Sequence, residues 1–152
     1  MEFIGIKKLG VIRPADIAEA ERMGKMREGE EYLIRVSMPR NLRFHRKFRV
    51  LLQLVFDNLP EEIPAKTPDG KPITVHSVDE LHWHIKMQIG HYEQRVTLGG
   101  RITYEAKSTA FSAMDEAEFQ DYYSRAIDVI LKYFLPGTGR EELEEIIVMT
   151  FG

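Results

Sequence analysis

Cysteine is absent from the 152-residue sequence, which excludes disulfide bonds, cysteine-bound zinc or iron–sulfur sites, and thiol catalysis. A hydrophobic run long enough to cross a membrane is also missing. The longest run, Val50–Phe56, is interrupted by Gln53 and is far shorter than the roughly 20 residues that span a bilayer. The N-terminus lacks the charged-then-apolar order of a secretory signal. We therefore expect a soluble, cytoplasmic protein with no membrane partner.

Motifs for cofactor binding and nucleophilic catalysis are missing as well. The chain contains no G-x-S-x-G, no G-x-x-x-x-G-K-[ST] and no G-x-G-x-x-G, the patterns that position a nucleophilic serine or a bound phosphate. The stretch Gly137–Arg140 holds two glycines, but it follows a predicted helix instead of a strand and is interpreted as a linker. The sequence therefore predicts no cofactor and gives little support for an enzyme.

The composition indicates a globular protein with an uneven charge distribution. Hydrophobic residues make up 43% of the chain and charged residues 30%, which is typical of a folded domain, and the length favours one domain over residues 1–152. The net charge is −3, yet six of the 21 Lys and Arg residues lie within Arg35–Arg49 without an intervening acid. Concentrated positive charge indicates an anionic partner. The six are Arg35, Arg40, Arg43, Arg46, Lys47 and Arg49.

Most of this basic stretch is predicted to be an amphipathic helix that begins after the N-cap Asn41. Its apolar residues are spaced three and four apart and are Phe44, Phe48, Leu51, Leu52, Val55, Phe56 and Leu59. Arg43, Arg46 and Arg49 fall on the opposite face, since a helix has 3.6 residues per turn. Three interpretations remain open: a solvated face paired with carboxylates elsewhere, a phosphate-binding surface, and a surface for an acidic protein.

The whole pattern predicts the order β-β-α-β-α-α-β-β-α-α, an α+β domain in which a small antiparallel sheet with hairpins packs against three or four helices. Residues 60–72 are predicted to be a Pro/Gly-rich loop. The predicted elements are a hairpin across Lys7-Lys8, a helix from Pro14 to Met26, a strand at Glu31–Met38, the basic helix, a helix between Ser77 and Gly90, a hairpin around Gly99-Gly100, a helix over Asp115–Leu135 and a last helix over Arg140–Met149.

Histidines cluster in one part of the sequence, at His76, His82, His84 and His91. Zinc-binding histidines on one helix face lie three or four residues apart, whereas His82 and His84 are two apart and diverge. A metal site at His82, His84 and His91 is therefore only a weak alternative. Trp83, the one tryptophan, is a candidate for stacking on an unpaired base; Tyr92 and Phe44 are further candidates, although Phe44 fits a core position better.

A second weak alternative concerns Glu105 and Lys107, two residues apart on a predicted strand and therefore on one face. With an upstream aspartate, for which Asp69 is the nearest sequence match and Asp79 another option, such a pair could hold Mg²⁺ and activate water in a nuclease. Glu and Lys two apart are ordinary on a solvated strand. Catalytic residues are accordingly predicted to be absent, with Glu105, Lys107 and Asp69 as the alternative.

Several short motifs resemble an uncharacterised phage and prophage family known only as a domain of unknown function. They are the run from Arg40 to Phe48 (R-N-L-R-F-H-R-K-F), Glu105–Ser108 (E-A-K-S) and Met114–Glu116 (M-D-E). The resemblance extends from Ile12 through the long helix. The family implies no established activity or catalytic residue, but it implies a phage protein that acts in the cytoplasm of a bacterial host.

The pattern R-N-x-x-x-x-R-K at Arg40–Lys47 is also similar to a motif of lambda NinB, also called Orf. That family of recombination mediators binds single-stranded DNA without nuclease activity and forms a dimer with a basic channel. The resemblance implies that Arg43, Arg46 and Lys47 contact phosphates.

Taken together, the residues and resemblances predict a phage-encoded accessory protein that binds single-stranded DNA in recombination or replication. The predicted contacts are Arg40, Arg43, His45, Arg46, Lys47, Arg49 and Trp83. Partners are the phosphate backbone and a second copy of the chain, whose Arg-rich helix the acidic residues Glu141, Glu142, Glu144 and Glu145 could meet. An alternative is a phage inhibitor that binds a host defence protein complex.

Overall fold

The structure, a computed structural model, describes residues 1–36, 41–110 and 113–151. The chain divides into two compact units, Met1–Ser37 and Met38–Gly152. Each unit combines helix with one antiparallel hairpin, which confirms the predicted α+β class. In the described residues the strands form two two-stranded sheets, one in each unit. That the chain forms a single domain stays a prediction.

The first unit begins with a hairpin of strands β1 (Gly5–Lys8) and β2 (Val11–Pro14). The chain reverses at Leu9 and Gly10, which have positive φ angles of 53° and 80°. Two consecutive positive φ values are typical of the two-residue turns that match strand twist. The predicted turn at Lys7-Lys8 is therefore wrong by two residues, since it placed the reversal ahead of the glycine that tolerates this backbone conformation.

Helix α1 follows the hairpin and spans Ile17–Met23. It was predicted to begin at Pro14, but Pro14 ends strand β2, and Asp16 instead caps the helix by accepting a hydrogen bond from the Glu19 amide at 3.0 Å. The Glu19 side chain is fully buried, and its Oε2 accepts a hydrogen bond from the Ile4 amide at 2.9 Å. This short helix thus holds the segment that precedes the hairpin.

The strand predicted at Glu31–Met38 is wrong for the part that the structure describes. Residues 31–36 form no regular secondary structure, and residues 37 and 38 lie outside the described ranges. Leu33 and Val36 are 88% and 78% exposed. Alternating apolar residues form a strand only when they can pair with a neighbouring strand and pack on an apolar surface. In the described residues this segment has neither beside it.

The second unit contains four α-helices and one hairpin within its described residues, and its main hydrophobic core is formed almost entirely by the helices. Phe48, Leu81, Phe119, Phe134 and Ile147 are among the residues that fill it. No helix in the described residues is long and apolar enough to cross a membrane. The elements are α2 (Leu42–Asp57), α3 (Val78–Ile89), β3 (Tyr92–Val96), β4 (Ile102–Ala106), α4 (Glu116–Val129) with a π-helical extension (Ile130–Phe134), and α5 (Arg140–Phe151).

Local capping signals account for the ends of these helices. Asn41 caps α2 through a bond from the Phe44 amide, and Gly90 ends α3 with a positive φ of 84°. Asp115 and Glu118 form a complete capping box at the start of α4. The box predicted at Ser77 is only half formed, because the Glu80 carboxylate accepts from the His76 amide at 2.8 Å. These caps explain why α2, α3 and α4 lie close to where the sequence predicted them.

Candidate nucleic-acid interface

The basic residues of α2 are divided between different sides of the helix. Phe48, Leu51, Leu52 and Val55 are buried, and the helical period places Arg43 and Lys47 on one flank of this face and Arg49 on the other. Arg43 is exposed and Lys47 half-buried; Arg46 and Arg49 are half-buried and already take part in interactions. Arg40 lies outside the described residues. The predicted set therefore does not form one continuous patch in the part of the chain described.

Arg43 and Lys47 line a cleft of about 410 Å³ that we name the α2–α5 cleft. Helices α2, α4 and α5 contribute its walls. Among its described lining residues, none is an aspartate or a glutamate. The lining residues are Asn41, Arg43, Phe44, Lys47, Gln120, Ile147, Val148 and Phe151. The cleft thus combines two cations with a mainly apolar floor.

Both cations of the cleft lie over aromatic rings. The Arg43 guanidinium is 5.8 Å from the ring centroid of Phe151, and the Lys47 ammonium is 5.5 Å from that of Tyr123. Within residues 1–36, 41–110 and 113–151, neither cation forms an ion pair. Cation–π contacts at exposed sites contribute only about 0.5–1 kcal/mol. An anion can therefore draw both groups away from the rings at low cost.

Two amide side chains stand at the edge of the cleft and are held by one carboxylate. Asn41 Nδ2 donates to Glu116 Oε1 at 3.3 Å, and Gln120 Nε2 donates to the same oxygen at 3.5 Å. Asn41 Oδ1 also accepts from the Phe44 amide at 2.9 Å. Glu116 thus bonds to both amides, and in the described residues it forms no ion pair with Arg43 or Lys47.

The floor of the cleft belongs to the core. The Phe44 ring packs edge-on against Phe119 with centroids 5.1 Å apart, and it tilts against Tyr123 at 4.9 Å. Burial, followed by the charge of Glu144, raises the pKa of Tyr123 to about 12, so its phenol is neutral at physiological pH. Phe44 is half-buried and packs against the core, as the sequence favoured, and Phe151 is likewise half-buried.

Two other predicted contact residues lie away from the cleft. His45 is 9% exposed, and its ring is tilted against Phe119 at a centroid distance of 5.8 Å, so it is on the buried face of α2. Trp83 is on α3, 36% exposed, with its ring edge-on to His84 at 5.0 Å. Trp83 stays a candidate for stacking, whereas burial keeps His45 from a polymer at the surface.

A second cavity of about 430 Å³, which we name the α4 pocket, lies beside the other flank of α4. It contains Lys107 and Arg125 together with Glu118 and Asp121. Arg125 Nε is 3.0 Å from the Asp121 carboxylate, and Glu118 accepts the Asp115 amide at 2.8 Å. Its remaining lining residues are His91, Ser108, Ala113, Met114 and Tyr122. The charges of this pocket are therefore balanced by its own side chains.

Beside the α4 pocket, Tyr122 contacts two of the four clustered histidines. His82 Nε2 is 2.8 Å from the Tyr122 hydroxyl, and the His91 ring centroid is 5.2 Å from that of Tyr122. Burial, followed by the charges of Lys86, His45 and His91, lowers the pKa of His82 to about 3. The sequence grouped these histidines but did not predict their contact with Tyr122, because Tyr122 lies 40 residues beyond His82 on a different helix.

The residues of the two weaker alternatives are engaged elsewhere. Glu105 pairs with Arg95 at 2.9 Å, and Asp69 pairs with Lys71 at 3.3 Å. Lys107 lines the α4 pocket. Among the described residues, no group of three or more His, Asp or Glu side chains is placed to hold a metal ion. Their surroundings therefore do not favour the nuclease or the metal site.

Comparison with known proteins places most of the second unit in a family. Residues 69–148 match the family described as "Protein of unknown function (DUF1367)". The chain belongs to this family. The match begins after α2, so it includes the α4 pocket, all of α4 and part of α5, while the basic motif at Arg40–Phe48 lies outside it. No curated protein and no solved structure matches the chain.

Proposed function

We propose that this protein is a phage-encoded, non-catalytic accessory protein that binds single-stranded DNA at the α2–α5 cleft. The observation that carries this proposal is the pair Arg43 and Lys47, which lies over aromatic rings with no carboxylate among the described residues that line the cleft. Cations beside aromatic rings are the combination that binds phosphates and unpaired bases without requiring a particular sequence.

The proposal predicts how strongly DNA affinity should depend on salt concentration. A chain with net charge −3 does not attract DNA as a whole, so affinity has to come from local cations. Each phosphate that a cation neutralises on a single strand releases counterions and contributes about −0.7 to the slope of log affinity against log salt. Arg43 and Lys47 together are thus expected to contribute about −1.4 to this slope.

The sequence resemblances support a biological setting for this activity. The likeness of Arg40–Lys47 to the lambda NinB motif supports a role in phage recombination or replication, in the cytoplasm of a bacterial host. It also supports a homodimer. The outward acidic residues of α5, such as Glu141 and Glu145, supply negative charge for such a contact.

The double substitution Arg43→Ala/Lys47→Ala tests the proposal. It should weaken binding to a fluorescein-labelled dT16 oligonucleotide roughly a hundredfold, because each of the two lost charge-assisted contacts contributes about 1.5 kcal/mol. The salt slope should become shallower by about 1.4. Fluorescence anisotropy at several salt concentrations measures both quantities, and thermal unfolding checks that the variant is folded.

The α4 pocket offers a matched control. Lys107→Ala/Arg125→Ala also removes two positive charges, but from a pocket that contains Glu118 and Asp121, and it should change DNA affinity less than about threefold. If the two double variants lose the same affinity, net charge alone controls binding and the assignment to the α2–α5 cleft is wrong. Undetectable binding by the wild type would end the proposal.

The first unit supports a second candidate, a protein-binding inhibitor of a host defence complex. It exposes large apolar side chains, including Leu9 at 90%, Ile17 at 81% and Leu33 at 88%. Exposed apolar groups are common singly, but a concentration of them favours a protein contact. This function predicts negligible affinity for dT16 and specific capture of a host protein that Leu9→Ser/Ile17→Ser abolishes.

A further inference from the structure

We infer that the α2–α5 cleft is a base-binding subsite, in which one unpaired base of a single strand stacks on Phe151 while Arg43 and Lys47 hold its flanking phosphates. This inference rests on the proposed function and names the part of the nucleic acid that enters the cleft. It differs from phosphate binding alone, because it assigns a role to an aromatic residue outside the basic sequence motif.

The dimensions and composition of the cleft fit this occupant. Its volume of about 410 Å³ is at the lower end of the range for small-ligand pockets, so it suits one base better than a folded segment. Ile147, Val148 and Phe151 supply an apolar wall from α5, and Phe44 supplies the opposing wall from α2. The cations stand on the same α2 flank, where a strand that enters the cleft passes its phosphates.

The contact between Arg43 and Phe151 shows how binding would proceed. The guanidinium lies 5.8 Å from the ring centroid, and Arg43 is exposed whereas Phe151 is half-buried. A base can replace the guanidinium on the ring, since an aromatic face accepts any base, and the freed guanidinium can then pair with a phosphate. The aromatic ring and the cation would thus exchange one mutual contact for two contacts with the strand.

The amides of Asn41 and Gln120 mark where a base edge would lie. Both donate to Glu116 Oε1, at 3.3 Å and 3.5 Å, distances at the long end of the hydrogen-bond range. Both residues also line the cleft. A base edge that accepts hydrogen bonds can compete for these donors, so the subsite has polar groups along one side and an aromatic face on the other.

Trp83 is the competing candidate for stacking, and its position distinguishes stacking on α3 from stacking on Phe151 in the cleft. It lies on α3 and does not line the cleft, and it is 36% exposed. If Trp83 stacks on bases, it does so without the phosphate contacts that Arg43 and Lys47 provide beside Phe151. Substitution of each aromatic in turn therefore distinguishes the cleft from the surface of α3.

The experiment compares dT16 with an abasic oligonucleotide of the same length and backbone. Wild-type protein should bind dT16 roughly tenfold more tightly than the abasic strand. Phe151→Leu, which keeps apolar volume but removes the aromatic face, should lower dT16 affinity to nearly the abasic level and leave abasic affinity unchanged. Phe151→Ala should do the same, and Trp83→Leu should leave both affinities within about twofold of wild type.

Each other outcome overturns the inference in a recognisable way. Equal wild-type affinity for the two strands, or unchanged discrimination in folded Phe151→Leu, removes the base subsite but leaves phosphate binding by Arg43 and Lys47 standing. Lost discrimination in Trp83→Leu alone assigns stacking to α3 instead. If the wild type binds neither strand, both the subsite and the proposed function fail.

Discussion

The α2–α5 cleft and the α4 pocket are nearly equal in volume, about 410 and 430 Å³, and each contains one arginine and one lysine. They differ in what faces those charges. Arg43 and Lys47 lie over aromatic rings, whereas Arg125 pairs with Asp121, and Lys107 shares its pocket with Glu118. The two sites therefore have the same number of basic side chains, but they differ in how much of that positive charge is left for a ligand.

This difference teaches that a count of basic residues does not identify an anion site. A carboxylate within a few ångströms offsets most of the field that a cation presents to an incoming phosphate. An aromatic ring holds a cation only weakly at a surface. The cleft can thus transfer its cations to a ligand, whereas the pocket must first break its own ion pair.

The largest effect on stability is expected at Phe119, whose ring packs against lining residues of both cavities. Phe119 is 1% exposed and packs against Phe44 at the cleft and Tyr122 at the pocket, with centroids 5.1 Å and 6.3 Å apart. Phe119→Ala should lower the unfolding free energy by about 3–5 kcal/mol, because it leaves a cavity in the core. Urea denaturation measures this. The exposed Val148→Ala should change it by less than about 0.5 kcal/mol, and a similarly small loss for Phe119→Ala would contradict a shared core.

An intermediate effect should appear as pH dependence beside the α4 pocket. In the folded protein burial lowers the pKa of His82 from 6.5 to about 3, so the ring stays neutral while the unfolded chain takes up a proton below pH 6.5. The unfolding free energy should therefore fall as the pH decreases from about 6.5, by up to about 1.4 kcal/mol per pH unit from this group.

The variant His82→Gln isolates that contribution, since glutamine can still bond to the Tyr122 hydroxyl but does not titrate. Urea denaturation between pH 6.5 and 5 measures the slope of unfolding free energy against pH. In the variant this slope should be smaller by an amount that corresponds to the uptake of nearly one proton on unfolding. His84 and His91, whose pKa values burial also lowers, supply part of the remaining slope. Identical slopes in both proteins would show that His82 is not kept neutral by burial.

The smallest expected effect tests the charge balance of the pocket itself. Asp121→Asn removes the partner that lies 3.0 Å from Arg125 and should raise dT16 affinity about twofold, since the released guanidinium can then meet a phosphate. Because the pair is exposed and lies one helical turn apart, the stability cost should be only about 0.3–0.5 kcal/mol. Anisotropy and urea denaturation measure the two changes. A decrease in DNA affinity would argue against the comparison between the sites.

Local sequence signals accounted for most of the second unit. Asn41, Gly90 and Asp115 mark helix ends in the sequence and do so in the structure, because a cap involves only residues within one turn. The predicted secondary-structure elements that were wrong lie in the first unit. The hairpin turn depended on which residue takes a positive φ, and the strand at Glu31–Met38 depended on a partner strand that no local pattern specifies.

The sequence by itself determined that α2 is amphipathic, where it begins, and that it carries Arg43 and Lys47, because the helical period depends on neighbouring residues alone. Only the tertiary structure decided which cations face a carboxylate and which face a ring. Phe151 meets Arg43 although the two are far apart in the chain, because α5 packs against α2. Electrostatic pairing depends on distance in space, and that distance is set by helix packing.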